Sequence, residues 1–304
     1  MELREGCVAT IGAYDGLHIG HRRILERVLT VAREKALPAL IFSFEPTPKE
    51  FFSRAAPPAR LMRFREKFEA LQEMGFDVFF CPRFNAGMAG LEPDEFIDRL
   101  LADVLNVKHL VVGDDFQFAH RRSGTVKDLR RRGSERGFSL EQVGSVIEDG
   151  ERISSSVVRH VLQAGDLIKA KQLLGRGYRM SGQVIRGNQL GRTLGMPTAN
   201  VRLNRPQSPV LGIYAVRVGG LEEGRWLDGV ASVGTRPTIG GVEPLLEVHL
   251  FDFDRDIYGA HIQVEFVAKL RDEVRFADLD ALSVQMDQDA LDAQDMLSRM
   301  PADA

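Results

Sequence analysis

In the first half of the chain, short apolar runs alternate with stretches whose apolar residues recur every three or four positions. Cys7-Val8-Ala9-Thr10-Ile11 predicts a buried strand, and Ile24, Leu25, Val28, Leu29 and Ala32 follow at the spacing of one helix face. Ala39-Leu40-Ile41-Phe42 predicts a second strand, ended by Glu45-Pro46-Thr47-Pro48. A helical pattern from Arg65 to Met74 leads to a third strand at Val78-Phe79-Phe80-Cys81. Pro93-Asp94-Glu95 opens another helix, with Phe96, Leu100, Leu101, Val104 and Leu105 on its apolar face. His109-Leu110-Val111-Val112 is the fourth strand and runs into Gly113-Asp114-Asp115-Phe116. Strands alternating with helices imply a parallel sheet with right-handed crossovers, a Rossmann-like α/β domain.

The helical pattern persists through Leu162, breaks at Gly165-Asp166, and resumes at Ile168, Ala170, Leu173 and Leu174. Gly175-Arg176-Gly177 then marks a domain junction. From Ser181 the period shortens. Residues 213–218, 229–233, 246–251 and 262–270 predict short strands, the last alternating Ile262, Val264, Phe266, Ala268 and Leu270 with mostly polar neighbours. Short strands joined by Gly and Pro turns predict a small barrel. Leu279, Leu282, Met286 and Ala290 predict a C-terminal helix packed on it, with a frayed acidic tail beyond. The predicted organisation is α/β plus β, with domains 1–176 and 181–304.

The richest local motif lies between the first strand and its helix: Gly12-Ala13-Tyr14-Asp15-Gly16-Leu17-His18-Ile19-Gly20-His21. Open α/β sheets bind ligands at that edge, and helix N-termini there favour anions. Gly12 and Gly16 let the backbone approach a phosphate closely. His18 and His21, three apart on the first turn, share a face and point to donation onto an α-phosphate during in-line displacement. A surface pair or a core histidine also fits a bare His-x-x-His; the strand, paired glycines and helix start favour nucleotide chemistry. A serine run with an arginine, Ile153-Ser154-Ser155-Ser156-Val157-Val158-Arg159, fits either an N-cap or a triphosphate contact.

In the second half, Gly187, Gly191 and Gly195 lie in a glycine-rich stretch leading to Pro197-Thr198-Ala199-Asn200. A hydroxyl and an amide oxygen two residues apart suit Mg²⁺ that also carries substrate phosphates. Glu247, with His249 on the same side of its strand, is placed to project into the barrel mouth and accept the proton of an attacking alcohol. An exposed strand residue fits the alternation equally well.

The 304 residues, 44% apolar and 27% charged, suit two globular domains of an ordinary enzyme. A net charge of −3 argues against a general nucleic-acid binder. The basic stretch holding Arg121, Arg122, Lys127, Arg130, Arg131, Arg132 and Arg136 lacks interleaved aromatics and reads as a solvated helix face. Arg122, just past the fourth strand, is within reach of a phosphate there. Cys7 and Cys81 read as buried thiols of a reducing compartment. With no secretory h-region and no apolar run near ~20 residues, a cytoplasmic protein without membrane contact is expected.

The Gly-x-x-Asp-Gly-x-His-x-Gly-His motif resembles that of the HIGH-motif nucleotidyltransferases. Together with Phe44-Glu45-Pro46, Lys67, Gly113-Asp114-Asp115-Phe116 and Ile153-Ser154-Ser155-Ser156, it is similar to the adenylyltransferase half of the bifunctional prokaryotic riboflavin kinase/FMN adenylyltransferase (FAD synthetase) family. The segments Gly191 to Asn200, Gly212-Ile213-Tyr214-Ala215, Gly234 to Thr238 and Glu247-Val248-His249-Leu250 resemble its riboflavin kinase module, a six-stranded barrel. The resemblance spans nearly the whole chain. It implies that riboflavin is phosphorylated by ATP to FMN, and FMN adenylylated to FAD with release of pyrophosphate. It further implies ATP contacts in the first half at Gly12, Asp15, Gly16, His18, His21, Ser155, Ser156 and Arg159, and flavin or phosphate contacts at Asp115 and Arg122. In the kinase module it implies ATP under Gly187, Gly191 and Gly195, Mg·ATP on Thr198 and Asn200, and Glu247 as base for the ribityl hydroxyl. Tyr14 stands where the family often has Phe. Ala119 stands where Gly is usual, which predicts an altered backbone after the fourth strand. Rival functions are a nucleotidyltransferase with another phosphate acceptor, and a regulatory flavin- or nucleotide-binding protein.

Overall fold

The computed structural model describes residues 3–53, 55–148, 150–187, 195–238 and 241–300. The chain divides into two compact units, Met1–Pro58 with Phe64–Ser154, and Ala59–Arg63 with Ser155–Ala304.

The first unit runs β1 (Cys7–Ile11), α1 (Ile19–Lys35), β2 (Ala39–Phe42), α2 (Pro48–Phe52), α3 (Phe64–Glu73) and β3 (Val78–Phe80). It continues with α4 (Ala86–Ala89), α5 (Pro93–Phe96), a π-helix (Ile97–Val104), β4 (Val107–Gly113), α6 (Val126–Arg136) and β5 (Ser139–Val143). A hairpin of β6 (Ile147–Glu148) and β7 (Glu151–Arg152) follows. Five parallel strands pair in the order β3-β2-β1-β4-β5. β1 and β2 are buried along their whole length, as strands covered on both faces must be. The order reverses at β1, so the loops after β1 and β4 flank the crevice where such sheets bind ligands.

Two features depart from the sequence pattern. β5 is a fifth strand that polar residues conceal: Glu141 faces α1 and forms a bidentate pair with Arg27 at 2.7 and 3.0 Å. The arginines of α6 are not simply solvated. Arg131 pairs with Asp94 at 2.6 Å, Arg132 with Asp98 at 2.5 Å, and Arg136 with Asp98 at 3.4 Å, all partners on the segment α5 opens. Cys7 is buried, and burial pushes its thiol up to about 12; Cys81 is only half-buried.

The second unit contains α7 (Ser155–Gln163), α8 (Leu167–Leu174), β8 (Tyr178–Ile185), β9 (Ala199–Arg202), β10 (Gly212–Glu222), β11 (Arg225–Thr238), β12 (Gly241–Leu250), β13 (His261–Arg271) and α9 (Leu279–Arg299). The six strands close a barrel in the order β10-β11-β12-β9-β8-β13. Ala293 and Leu297 of α9 pack on Ile213, Ala215 and Val230. A helix cannot enter so narrow a barrel, so these strand positions face outward, and Tyr214, Val216, Val233, Leu246 and Val248 fill the interior. Residues Ala59–Arg63 belong to this unit through their backbone. The Ala59 carbonyl accepts from Arg159 at 2.6 Å, that of Arg60 from Arg205 at 3.2 Å, and that of Leu61 from Tyr178 at 3.2 Å. No helix among the described residues is long and apolar enough to cross a membrane.

Candidate active sites

At the end of β1 the chain turns through three left-handed residues, Tyr14 (φ 49°), Gly16 (φ 89°) and Leu17 (φ 45°), before α1 begins. Backbone of this kind in bulky residues is costly and concentrates at functional sites. His18 caps α1: its Nδ1 accepts the backbone N–H of His21 at 3.3 Å. An accepting Nδ1 leaves the ring's proton on Nε2, which is then a donor. The His18 and His21 rings stack with centroids 3.6 Å apart. Burial first, then the electrostatic influence of His18, Lys67 and Arg152, holds His21 well below the usual imidazole range. The His21 ring is therefore neutral at pH 7.

Lys67, buried on α3, donates to the Ala13 carbonyl at 2.8 Å and the Ser43 hydroxyl at 3.2 Å, fixing a positive charge under the loop. Across the crevice, after β4, Asp115 is paired with Arg152 at 2.5 Å. A paired carboxylate is a poor phosphate contact; Arg152 is the group suited to an anion. Arg122 is exposed and left-handed (φ 60°). Ala119 before it lies at φ 64°, ψ −167°, a region essentially reserved for glycine. The loop thus takes a glycine's shape without a glycine. The space at Gly12 is filled by the Tyr14 ring, since a Cβ there would lie 2.8 Å from Cε2. Ser155 and Ser156 open α7, and so belong with Arg159 to the other compact unit.

In the barrel, register assembles a second site. Glu247 on β12 lies opposite Asn200 on β9 and opposite Ser232 on β11, a row across three strands. Glu247 and His249 share the outward face with Val230, beneath α9, rather than projecting into the barrel mouth: the inward positions of β12 are Leu246, Val248 and Leu250. The His249 Nδ1–H donates to the Pro197 carbonyl at 2.9 Å, tying Pro197-Thr198-Ala199-Asn200 to the strand of Glu247. The Asn200 amide fills the space at Gly187, where a Cβ would lie 2.4 Å from Nδ2. Gly191 lies outside the described residues, and Gly195 is in a left-handed turn (φ 80°).

Two clefts meet here. One of about 290 Å³ is lined by Thr198, Ser232, Glu247, by Glu273 and Phe276 from the segment after β13, and by Met286 of α9. The other, about 660 Å³, opens among Arg186, Thr198, Phe253, Asp256 and Tyr258. Thr198 lines both. Arg271 forks onto Asp289 of α9 at 2.8 and 2.7 Å, and Gln285 adds a bond at 3.0 Å, so the helical wall is bolted to β13. Burial pushes the Glu273 carboxyl above its usual range, with Arg271 opposing. Sequence reasoning did not single out Arg152, Ser232 or Asp289 as site residues. Each acquires its place through a partner far away in the chain.

Residues 1–157 match the FAD synthetase family model, and residues 174–297 the riboflavin kinase model. A relative from Escherichia coli strain K12, a bifunctional riboflavin kinase/FMN adenylyltransferase, is 47% identical over 292 residues, 96% of this chain and 93% of that one. The chain belongs to this family. Another bifunctional riboflavin kinase/FMN adenylyltransferase, from Pseudomonas fluorescens, is 44% identical and covers 95% of this chain and 92% of its own. A crystal structure described as a macrolide-efflux protein from Streptococcus pneumoniae has a TM-score of 0.79 at 28% identity, covering 98% of this chain and 95% of that one. As a riboflavin kinase/FMN adenylyltransferase, the chain pairs an N-terminal adenylyltransferase domain with a C-terminal kinase domain, the two transferases of FAD biosynthesis.

Proposed function

We propose that each domain carries out an in-line displacement on ATP at the site just described, with domains 1–176 and 181–304 as the two functional pieces. The observation that carries the kinase reading is Thr198, shared by the cleft beside Glu247 and the cleft of Arg186 and Tyr258. Riboflavin enters the first and ATP the second, so acceptor and donor meet at one residue. Glu247 takes the proton of the ribityl hydroxyl as its oxygen bonds to the γ-phosphorus and ADP leaves. The Thr198 hydroxyl and Asn200 amide oxygen, on one face and seated by Gly187, suit Mg²⁺, which would neutralise phosphate charge when bound. Gly187 and Gly195 flank the stretch that the family resemblance assigns to the ATP phosphates, of which residues 188–194 lie outside the described residues.

In the first domain, an FMN phosphate oxygen attacks the ATP α-phosphorus and pyrophosphate leaves. The Nε2–H groups of His18 and His21 donate to the α-phosphate, strengthening as charge builds there. Gly12, Asp15 and Gly16 shape the loop. Asp115 holds Arg152 toward the anions, Arg122 reaches the flavin phosphate, and Ser155, Ser156 and Arg159 keep the ATP-phosphate role of their motif. Small diffusible substrates and two free thiols suit the cytoplasm, with neither nucleic acid nor membrane as partner.

Incubating the protein with riboflavin, ATP and Mg²⁺ and resolving the flavins over time should show FMN, then FAD. Thr198→Ala and Asn200→Ala should raise the Mg²⁺ needed for half-maximal FMN formation by roughly tenfold. An unchanged Mg²⁺ requirement would remove both from the metal.

A further inference from the structure

An imidazole acting on a phosphate needs a fixed ring plane, usually set by a hydrogen bond from its second nitrogen. His21 lacks that anchor: its Nδ1 is buried with no hydrogen-bond partner among the described residues. Packing holds the ring instead. His18 stacks on it with planes 19° apart, and Tyr14 meets it edge-on, centroids 5.1 Å apart at 69°. Tyr14 is itself held twice over. Its hydroxyl bonds the Thr10 hydroxyl on β1, and its ring lies against the bare Cα of Gly12. Thr10 and Tyr14 are both buried. Tyr14 keeps φ at 49°, which an aromatic residue adopts only when its surroundings enforce it.

We propose that the Thr10–Tyr14 pair is a positioning device for adenylyl transfer, holding the Tyr14 ring against His21 so that the imidazole stays dry and aimed. It rests on the reading of His21 as a donor to the α-phosphate. The charged or titratable groups acting on His21 are His18 from the start of α1, Lys67 from α3 and Arg152 from β7. All three oppose its protonation. Water admitted in place of the Tyr14 ring screens them and stabilises an imidazolium, so the device also keeps the donor neutral.

The test uses the full chain and two readouts: the proton NMR titration of His21, assigned with a His21→Gln variant, and the rate of FAD formation from FMN. In Tyr14→Leu, His21 should begin to titrate near the usual imidazole range, and FAD formation should fall roughly tenfold at unchanged ATP KM, from loss of ring alignment. FMN formation from riboflavin should not change. Thr10→Val, which orphans the phenol, should slow FAD formation several-fold. Thr10→Val with Tyr14→Phe should restore it, because replacing both partners of a buried bond by apolar groups of like shape is nearly neutral. That double variant carries the test if Tyr14→Leu does not fold. A His21 titration unmoved by Tyr14→Leu, or no recovery in the double variant, overturns the proposal. A shifted titration with an unchanged FAD rate overturns instead the catalytic role of His21.

Discussion

Both domains displace a leaving group from a phosphorus of ATP with an oxygen nucleophile, yet the first site is lined with imidazoles and cations and the second with carboxylates. His18, His21, Lys67 and Arg152 gather near the β1 loop; Glu247, Glu273 and Asp289 line the cleft under α9. The nucleophiles explain the contrast. A phosphate monoester arrives already ionised, needs no base, and must be brought close to a second polyanion, so fixed positive charge and neutral N–H donors serve it. An alcohol arrives protonated and uncharged, so it needs a carboxylate and is not repelled by one. On the proposed reading, the charge of each site follows the charge of its acceptor.

The sharpest way to break this comparison is Glu247→Gln, which keeps size but removes basicity. FMN formation should fall by roughly 10²- to 10⁴-fold, while FAD formation from supplied FMN proceeds at the parent rate. Loss of both rates together would mean the carboxylate is structural. In the other domain, His18→Ala or His21→Ala should lower FAD formation by roughly 10²-fold and spare FMN formation. Next in size is Asp289→Asn, which leaves Arg271 without its carboxylate beside the cleft of Glu247. Breaking such a pair costs about 3 kcal/mol, so the barrel should melt at lower temperature and its KM for riboflavin should rise, with FAD formation from FMN unaffected.

Acid should expose a smaller difference. His21 is held below its usual value of 6.5, so above that pH neither folded nor unfolded chain protonates it. Below it the unfolded chain takes up a proton that the folded one refuses, and the stability of the first unit declines as pH falls. The urea midpoint should drop between pH 7.5 and 5.5, and His21→Gln should flatten that slope. Ala119→Gly, relieving the φ 64° strain, should stabilise the same unit by about 1 kcal/mol in urea unfolding.

Sequence pattern and structure agree where the determinants are local. Period and turn residues suffice for β1, β2, β3, β4 and the barrel strands from Ile213 onward, and the Gly12–His21 loop is found entire. β5 is missed because an edge strand can carry Glu141 and Gln142 when Arg27 and Arg130 pair with them. Alternation places Glu247 and His249 on one face, but only the position of α9 says that the face is the outer one. Asp115 looks like a ligand-binding acid until Arg152, 37 residues away, is seen to hold it. Ion pairs between distant segments leave no periodic trace, so the charged parts of both sites are the least legible.

The short segment Ala59–Arg63 carries a consequence for how the protein is made. Arg205, which holds the Arg60 carbonyl, lies 145 residues further along the chain. At ordinary synthesis speeds of about 5–20 residues per second, the ribosome delivers it roughly 7–30 seconds later. The last strand of the first sheet, β5, is complete at Val143, so that sheet has all its strands while the Arg60 carbonyl still awaits Arg205. Birth order therefore sets an assembly order: the sheet of the nucleotide-transferring half can form before residues 59–63 meet the last of the partners that hold their backbone.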